Sequence, residues 1–459
     1  MAKLVTIGDS LTQGFSSFAI SRTDQSFPAL LARSLGLREQ EFRQPDFRGA
    51  GGLPFNLEQV ARRIQAKVGS HVSLLEWPEA FLEVTRVLDE VEQHWERGPG
   101  SLAGPDETFH NLAVWGFEAG DAYALNAGMC QQALAGTRRN WLEAPSQPRL
   151  RTGLRVLNPA RLTARSADTQ LALAQQIKDR EGTIEHLVVW LGANNVLGTV
   201  VALATEPETN VSPGPRSGKL LWSPKAFEEE YAEVARRTAA IGAEKVFVAT
   251  VPHVVIPPLT HGFMTDRGQL PPDQIHYDHY IYTFASEGEF DPERDPNLSK
   301  AQAQKIDGYI DEYNAVIRRY AERYGFLVVD VCSVLDRLAY RRNHGHPTYR
   351  LPSALADLDV RFFRTNERGQ RLEGGLFGLD GIHPTACGYA VIAHEFIQVM
   401  RQSGSVMDDI DFARVRREDR LVAEPPGTLD DVRTLLEWLE RHFHVLRFLD
   451  TRELVGRVV

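Results

Sequence analysis

The sequence predicts an α/β domain built on a mostly parallel central sheet. Short apolar, β-branched runs alternate with stretches of helical periodicity, the pattern of a sheet with helices packed on its faces. At 459 residues, with 43% hydrophobic and 24% charged, the chain has the make-up of a globular protein with a large core. Residues 1–401 are expected to form this domain, with insertions at about 57–107 and 252–298, and 402–459 a helical C-terminal extension.

The elements follow in order. Lys3 to Ile7 reads as a buried strand ended by Gly8. Phe27 to Leu37 reads as a helix closing near Gly36, and 57–97 as mainly helical with a break at Pro78. Asn111-Leu112-Ala113-Val114-Trp115-Gly116 is a second apolar run, and Asp121 to Leu134 is helical. Residues 136–165, rich in Arg and Pro, are expected to be loop, and Ser166 to Arg180 helix. Leu187 to Leu191 is a third strand. Ser223 followed by Pro224 starts a helix that leads to a fourth strand, Lys245 to Thr250. Ser299 to Tyr324 is the clearest helix, with Ile306, Ile310, Tyr313, Ile317 and Tyr320 on one face. Gly325 ends it, and Phe326 to Val331 is a fifth strand. Pro384 to Met400 is a helix, and Leu429 to Val445 another, with Leu435, Leu436, Leu439 and Phe443 on one side. That stripe suits packing on the core or, less simply, a homo-oligomer contact.

Composition narrows the function. A net charge of −10 argues against nucleic acid or an anionic membrane as the main partner. No stretch is long and apolar enough to span a bilayer, and a first strand at Lys3 leaves no room for a signal peptide ahead of it. Cys130, Cys332 and Cys387 are far apart with no CxxC, which suits buried thiols in a reducing, cytoplasmic compartment. Gly49-Ala50-Gly51-Gly52 lacks the third glycine of a dinucleotide fingerprint, and no Gly-x-Ser-x-Gly occurs. His276 and His279 with Asp278, or His344 and His346, have spacings that bind metal, but loop histidines explain them more simply. No metal and no organic cofactor is expected.

Four blocks carry chemistry. Gly8-Asp9-Ser10-Leu11 follows the first strand, which puts Ser10 at the carboxyl edge of the sheet, where open α/β folds bind ligands. Gly378-Leu379-Asp380-Gly381-Ile382-His383 offers a base, His383, and a carboxylate three residues earlier to orient its ring. Gly116 ends the second apolar run, where a backbone N–H approaches a ligand closely. Asn194, in Gly192-Ala193-Asn194-Asn195, brings a side-chain amide just past the third strand, a suitable oxyanion donor.

Together these blocks resemble the SGNH, or GDSL-type, esterase and lipase family, whose Ser, Gly, Asn and His appear in order as Ser10, Gly116, Asn194 and His383. The resemblance implies an SGNH-hydrolase (flavodoxin-like) three-layer α/β/α sandwich and hydrolysis of a small-molecule or lipid ester. It implies Ser10, Asp380 and His383 as the catalytic triad, and an oxyanion hole from the Ser10 and Gly116 N–H groups and the Asn194 side chain. Thioester hydrolysis, deacetylation of a sugar, or a silent binding module are the alternatives. The chain departs from the family at Asn195, where an Asp is common. The segment 252–298, with its apolar Val254 to Leu259 run, is expected to wall the acyl pocket and to set chain-length preference without adding to the chemical step.

Overall fold

A computed structural model describes the chain apart from residues 71, 74, 136–144, 206–219, 267, 286, 289, 361–362, 366–370, 428–430 and 444–459. Its central sheet is parallel. β1 (Ala2–Gly8), β2 (Ile184–Trp190), β3 (Lys245–Ala249) and β4 (Leu327–Val329) lie side by side in that order. On the free side of β1 runs the segment 110–114, with Thr6 N donating to His110 O, and Leu112 N and Val114 N to the Thr6 and Gly8 carbonyls. The second apolar run thus joins the sheet through one bridge, Thr6 with Asn111, rather than as a full strand. With this run counted, the chain order across the sheet is 2-1-3-4-5, the flavodoxin-like doubly wound arrangement.

Alternation along the strands divides the core in two. Leu4, Val188, Trp190, Phe247 and Val329 face one layer, where they meet Phe27 and Phe396. Val5, Ile7, Leu187, Val189 and Val248 face the other, against Ile177, Val234, Ile310 and Ile317. The first layer is the helix pair Phe27–Ser34 and Ala386–Gln402, joined by the stacked Phe27 and Phe396 rings at 4.8 Å. The second holds Gln170–Glu181, Pro224–Ile241 and Lys300–Tyr324. The result is a three-layer α/β/α sandwich.

Several expected elements shift. Pro78 does not break a helix: it stands in the first turn of Trp77–Glu92, where its missing N–H costs nothing. Within the expected loop 136–165, Pro148–Leu157 is a helix. Its arginines mask a buried stripe of Leu150, Leu154 and Leu157; residues 136–144 lie outside the described set. Val331, expected to end a strand, begins the helix Val331–Leu338 capped by Asp330. The insertion 252–298, in which no strand is expected, contributes to a three-stranded antiparallel sheet of Thr260–Phe263, His279–Tyr282 and Leu298–Ser299.

The C-terminal extension packs on the sandwich. Met407, Ile410, Val415 and Val422 share the core of Phe27 and Phe396. Asp419 Oδ2 accepts from Cys387 N at 2.9 Å, at the start of Ala386–Gln402. Leu435 and Leu439 of the last helix, Val432–Phe443, enter the other core, and Trp438 stacks on Phe81 at 3.9 Å. The Leu436 and Phe443 side chains lie outside the described set. Among the described residues no helix is long and apolar enough to cross a membrane, and all three cysteines are buried free thiols.

Candidate active site

Ser10 stands two residues past the end of β1. A Cβ on Gly8 would meet Thr12 Oγ1 at 2.1 Å and the Trp190 carbonyl at 2.8 Å, so only glycine fits where the chain turns beside β2. The chain then makes one helical turn, Ser10–Gln13, whose N-cap Asp9 accepts from Leu11 N at 3.0 Å. From the other end of the sequence comes a turn closed by Gly378 N to His383 O at 2.8 Å. It brings His383 Nε2 to 2.9 Å from Ser10 Oγ and His383 Nδ1 to 3.1 Å from Asp380 Oδ2.

Asp380 is held from every side. Its Oδ1 accepts from Ile382 N and His383 N at 2.9 and 2.8 Å, and its Oδ2 from Phe18 N at 3.0 Å. Burial pushes its pKa up, but the neighbouring imidazole and these donors outweigh it and hold the group below the usual carboxylate range. An ionised carboxylate only accepts, so the hydrogen sits on His383 Nδ1 and Nε2 is left to accept from Ser10. Asp9 goes the opposite way: burial raises it to about 7 against the pull of Leu11 N and His383.

Sequence reasoning missed the residues that brace this relay. Ser17 and Phe18 have φ of 52° and 65°, left-handed values uncommon away from glycine. That strain aims Phe18 N at Asp380, and Ser17 Oγ accepts from Leu379 N at 3.0 Å. The Phe15 ring covers the imidazole at 4.4 Å, and Tyr389 Oη donates to the Phe15 carbonyl at 2.6 Å. No short motif announces these contacts.

Asn194 reaches the same edge from β2, as the first residue of the helix Asn194–Ala202. Its amide nitrogen donates to Phe117 O at 2.8 Å and to Asp9 Oδ2 at 3.3 Å. Gly116 lies in the adjoining loop with φ of 75°, and a Cβ there would sit 3.0 Å from Arg149 Cδ. Asn195, next along, points away from Asn194's partners: its Oδ1 accepts from Ala119 N at 3.0 Å. Ser10, Asp380, His383 and Asn194 therefore gather at one sheet edge, and the Gly116 loop joins them through the Phe117 carbonyl that the Asn194 amide holds.

A cavity of about 400 Å³ opens at Ser10, Asn194 and His383. Val254, Val255, Ile256 and Pro257 form one wall, and Val334, Leu335 and Leu338 line it from the helix after β4. Thr260, Tyr277 and Arg341 also line it. Leu259 N donates to Gly381 O at 2.7 Å, inside the His383 turn. Side-chain hydrogen bonds pin the same segment: His253 Nδ1 lies 2.8 Å from Asp336 Oδ1, and His276 Nε2 lies 2.8 Å from Asp307 Oδ2. His253, Cys332 and Asp336 also have the mutual spacing of an ion site. There Arg342 Nη1 stands 3.1 Å from both His253 Nδ1 and Asp336 Oδ1, a cation already in place. His276 is thus hydrogen-bonded to Asp307, and His279 Nδ1 faces Asn297 Oδ1 at 3.1 Å.

Behind the Gly116 loop, Glu230 Oε2 accepts from Gly120 N at 2.9 Å and Asp121 Oδ2 from Glu118 N at 3.0 Å, with Arg149 paired to Asp121. Burial, then the nearby Glu118 and Asp121 carboxylates, push Glu230 up to about 9. The folded chain therefore keeps this proton while the unfolded chain loses it above the ordinary Glu range. Stability should fall as pH rises from that range towards about 9, by roughly 1.4 kcal/mol per pH unit for this group. Glu230→Gln, neutral throughout, should gain on the wild type across that window in urea unfolding. Parallel pH profiles for the two would refute the assignment.

Comparison with known proteins bears on this geometry. No curated protein matches the chain. One similar solved structure is LAE5, described as an alpha/beta hydrolase enzyme from the metagenome of Lake Arreo, Spain, with 16% identity over 87% of this chain and 95% of that one. Its TM-score of 0.29 is too low to say anything of fold or activity. The family match is different in kind, running over residues 4–396 and so spanning both Ser10 and His383. On that match the chain belongs to the GDSL-like lipase/acylhydrolase family.

Proposed function

We propose that the protein is a serine hydrolase that cleaves carboxylic esters through an acyl-enzyme on Ser10. The observation that carries this reading is the unbroken relay Ser10 Oγ, His383 Nε2, His383 Nδ1, Asp380 Oδ2, with links of 2.9 and 3.1 Å. His383 takes the Ser10 proton as Oγ attacks the ester carbonyl, and Asp380 stabilises the imidazolium that forms. His383 then returns the proton to the departing alcohol. Water repeats the sequence on the acyl-enzyme and releases the acid. The apolar cavity walled by Val254 to Pro257 takes the acyl chain, which favours an ester of a longer apolar acid over the acetyl ester of a sugar.

The Ser10 and Gly116 N–H groups and the Asn194 amide hold the oxyanion. Both hydrogens of that amide are engaged, and the 3.3 Å bond to Asp9 is the longer. It is the one that turns to the developing charge. Asn194→Ala should lower kcat by about 10²–10³ with little change in KM. Asn195→Ala should cost much less, since its side chain faces the Ala119 backbone. A reversal of the two would place the donor at Asn195.

The direct test is covalent. A fluorophosphonate should label the protein once, and peptide mapping should find the adduct on Ser10, because only an activated serine attacks such a phosphorus quickly. An adduct on another serine, or none in a folded sample, would overturn the reading.

A further inference from the structure

A second cleft, of about 210 Å³, lies away from Ser10 between residues 95–109 and the helix Pro148–Leu157 with the turn after it. Trp95, Leu102, Phe109 and Leu154 give it apolar walls, and Arg151, Arg155 and Arg161 give it positive charge. The charges do not all cancel. Arg151 is neutralised by Glu96 at 2.9 Å. Of the two acids lining the cleft, Asp46 is held by Arg48 at 2.9 Å and Glu107 faces Arg43 at 3.6 Å.

Arg155 and Arg161 are left over. Among the described residues neither has a carboxylate partner: Arg155 Nε donates to the Asp46 carbonyl at 2.9 Å, and Arg161 to the Ser101 carbonyl. Partial burial depresses the pKa of both; at Arg155 the charge of the Asp46 carboxylate, which bonds Arg48 instead, opposes this and the positive charge of Arg161 adds to it. The Arg155 guanidinium is also fixed in place, 5.2 Å from the Trp95 ring and 5.8 Å from the Phe47 ring. Two forks of donors, one of them lying against a pair of adjoining aromatic rings, in a cleft of a chain that carries −10 overall, form an incomplete charge cluster.

We propose that this cleft binds the phosphate group of a small molecule between Arg155 and Arg161. A dianion matches two guanidiniums, each able to bond two oxygens. The apolar walls leave room for a small organic body on the phosphate. The volume excludes anything large.

Calorimetry on the full chain, with inorganic phosphate and with phenyl phosphate as probes, tests this. Both should bind. Tighter binding of phenyl phosphate marks a phosphomonoester site, and equal binding marks a site for free phosphate. Arg161→Gln, at an exposed position, should weaken both probes by roughly tenfold or more, the scale of a lost charged hydrogen bond. Arg155→Lys, which keeps the charge and loses the fork, should weaken them less than Arg155→Gln. Hydrolysis of p-nitrophenyl butyrate without phosphate should be unchanged in all three. No binding of either probe by the wild type at millimolar concentration, or wild-type affinity retained in both Arg155→Gln and Arg161→Gln, would overturn the proposal.

Discussion

Ser10→Ala should lower kcat for p-nitrophenyl esters by about 10⁶, to a residue set by the oxyanion donors and substrate binding alone. The size of the loss follows from how the relay is built. Without Oγ there is no acyl-enzyme, and the imidazole 2.9 Å away has nothing to deprotonate except water that the site was not shaped to hold. The hydroxyl makes little other contact in the fold, so circular dichroism and the unfolding midpoint should stay close to wild type. Activity within tenfold of wild type in a folded Ser10→Ala protein would remove Ser10 from the mechanism.

Asp380→Asn should cost about 10⁴ in kcat, for two separable reasons. An amide does not stabilise the imidazolium. It also meets three backbone donors, Ile382 N, His383 N and Phe18 N, with only one accepting atom, so the His383 turn loses its anchor. The second effect has a stability signature. Because the fold holds Asp380 below the usual carboxylate range, its ionisation stabilises the protein above that range, and the contribution disappears as pH falls through the depressed value. Asp380→Asn should lack this acid-side loss, so its stability relative to wild type should improve as pH drops. Slow residual fluorophosphonate labelling should persist, which distinguishes this variant from Ser10→Ala. An Asp380→Asn protein with wild-type kcat would show that the orienting carboxylate lies elsewhere.

What could be read from the sequence was what is local in it. Gly8 to Ser10 and Asp380 to His383 each place their groups within a few residues, after a strand or before a helix, so their chemistry shows in the order of side chains. The parallel sheet showed for a similar reason: β1 and β2 are buried on both faces and read as continuous apolar runs. What stayed hidden depends on distant backbone. Phe18 N meets Asp380 across 362 positions of sequence, through a left-handed turn at two residues whose types do not suggest it. The helix Pro148–Leu157 was hidden by its own arginines, whose charges are met by Asp121 and Glu96 or lie beside aromatic rings. Local composition reads such a stretch as solvated loop.

The bond from Leu259 N to Gly381 O, 2.7 Å long, ties the wall of the apolar cavity at Ser10 to the turn that carries His383. For anyone reshaping substrate range, the segment 252–298 is therefore not an interchangeable cassette. A graft that brings in another family member's loop also removes a strut from under the imidazole, so altered selectivity and a slower turnover should arrive together. Recovering speed would then mean rebuilding one backbone contact at position 259, with no change to any group that touches the ester.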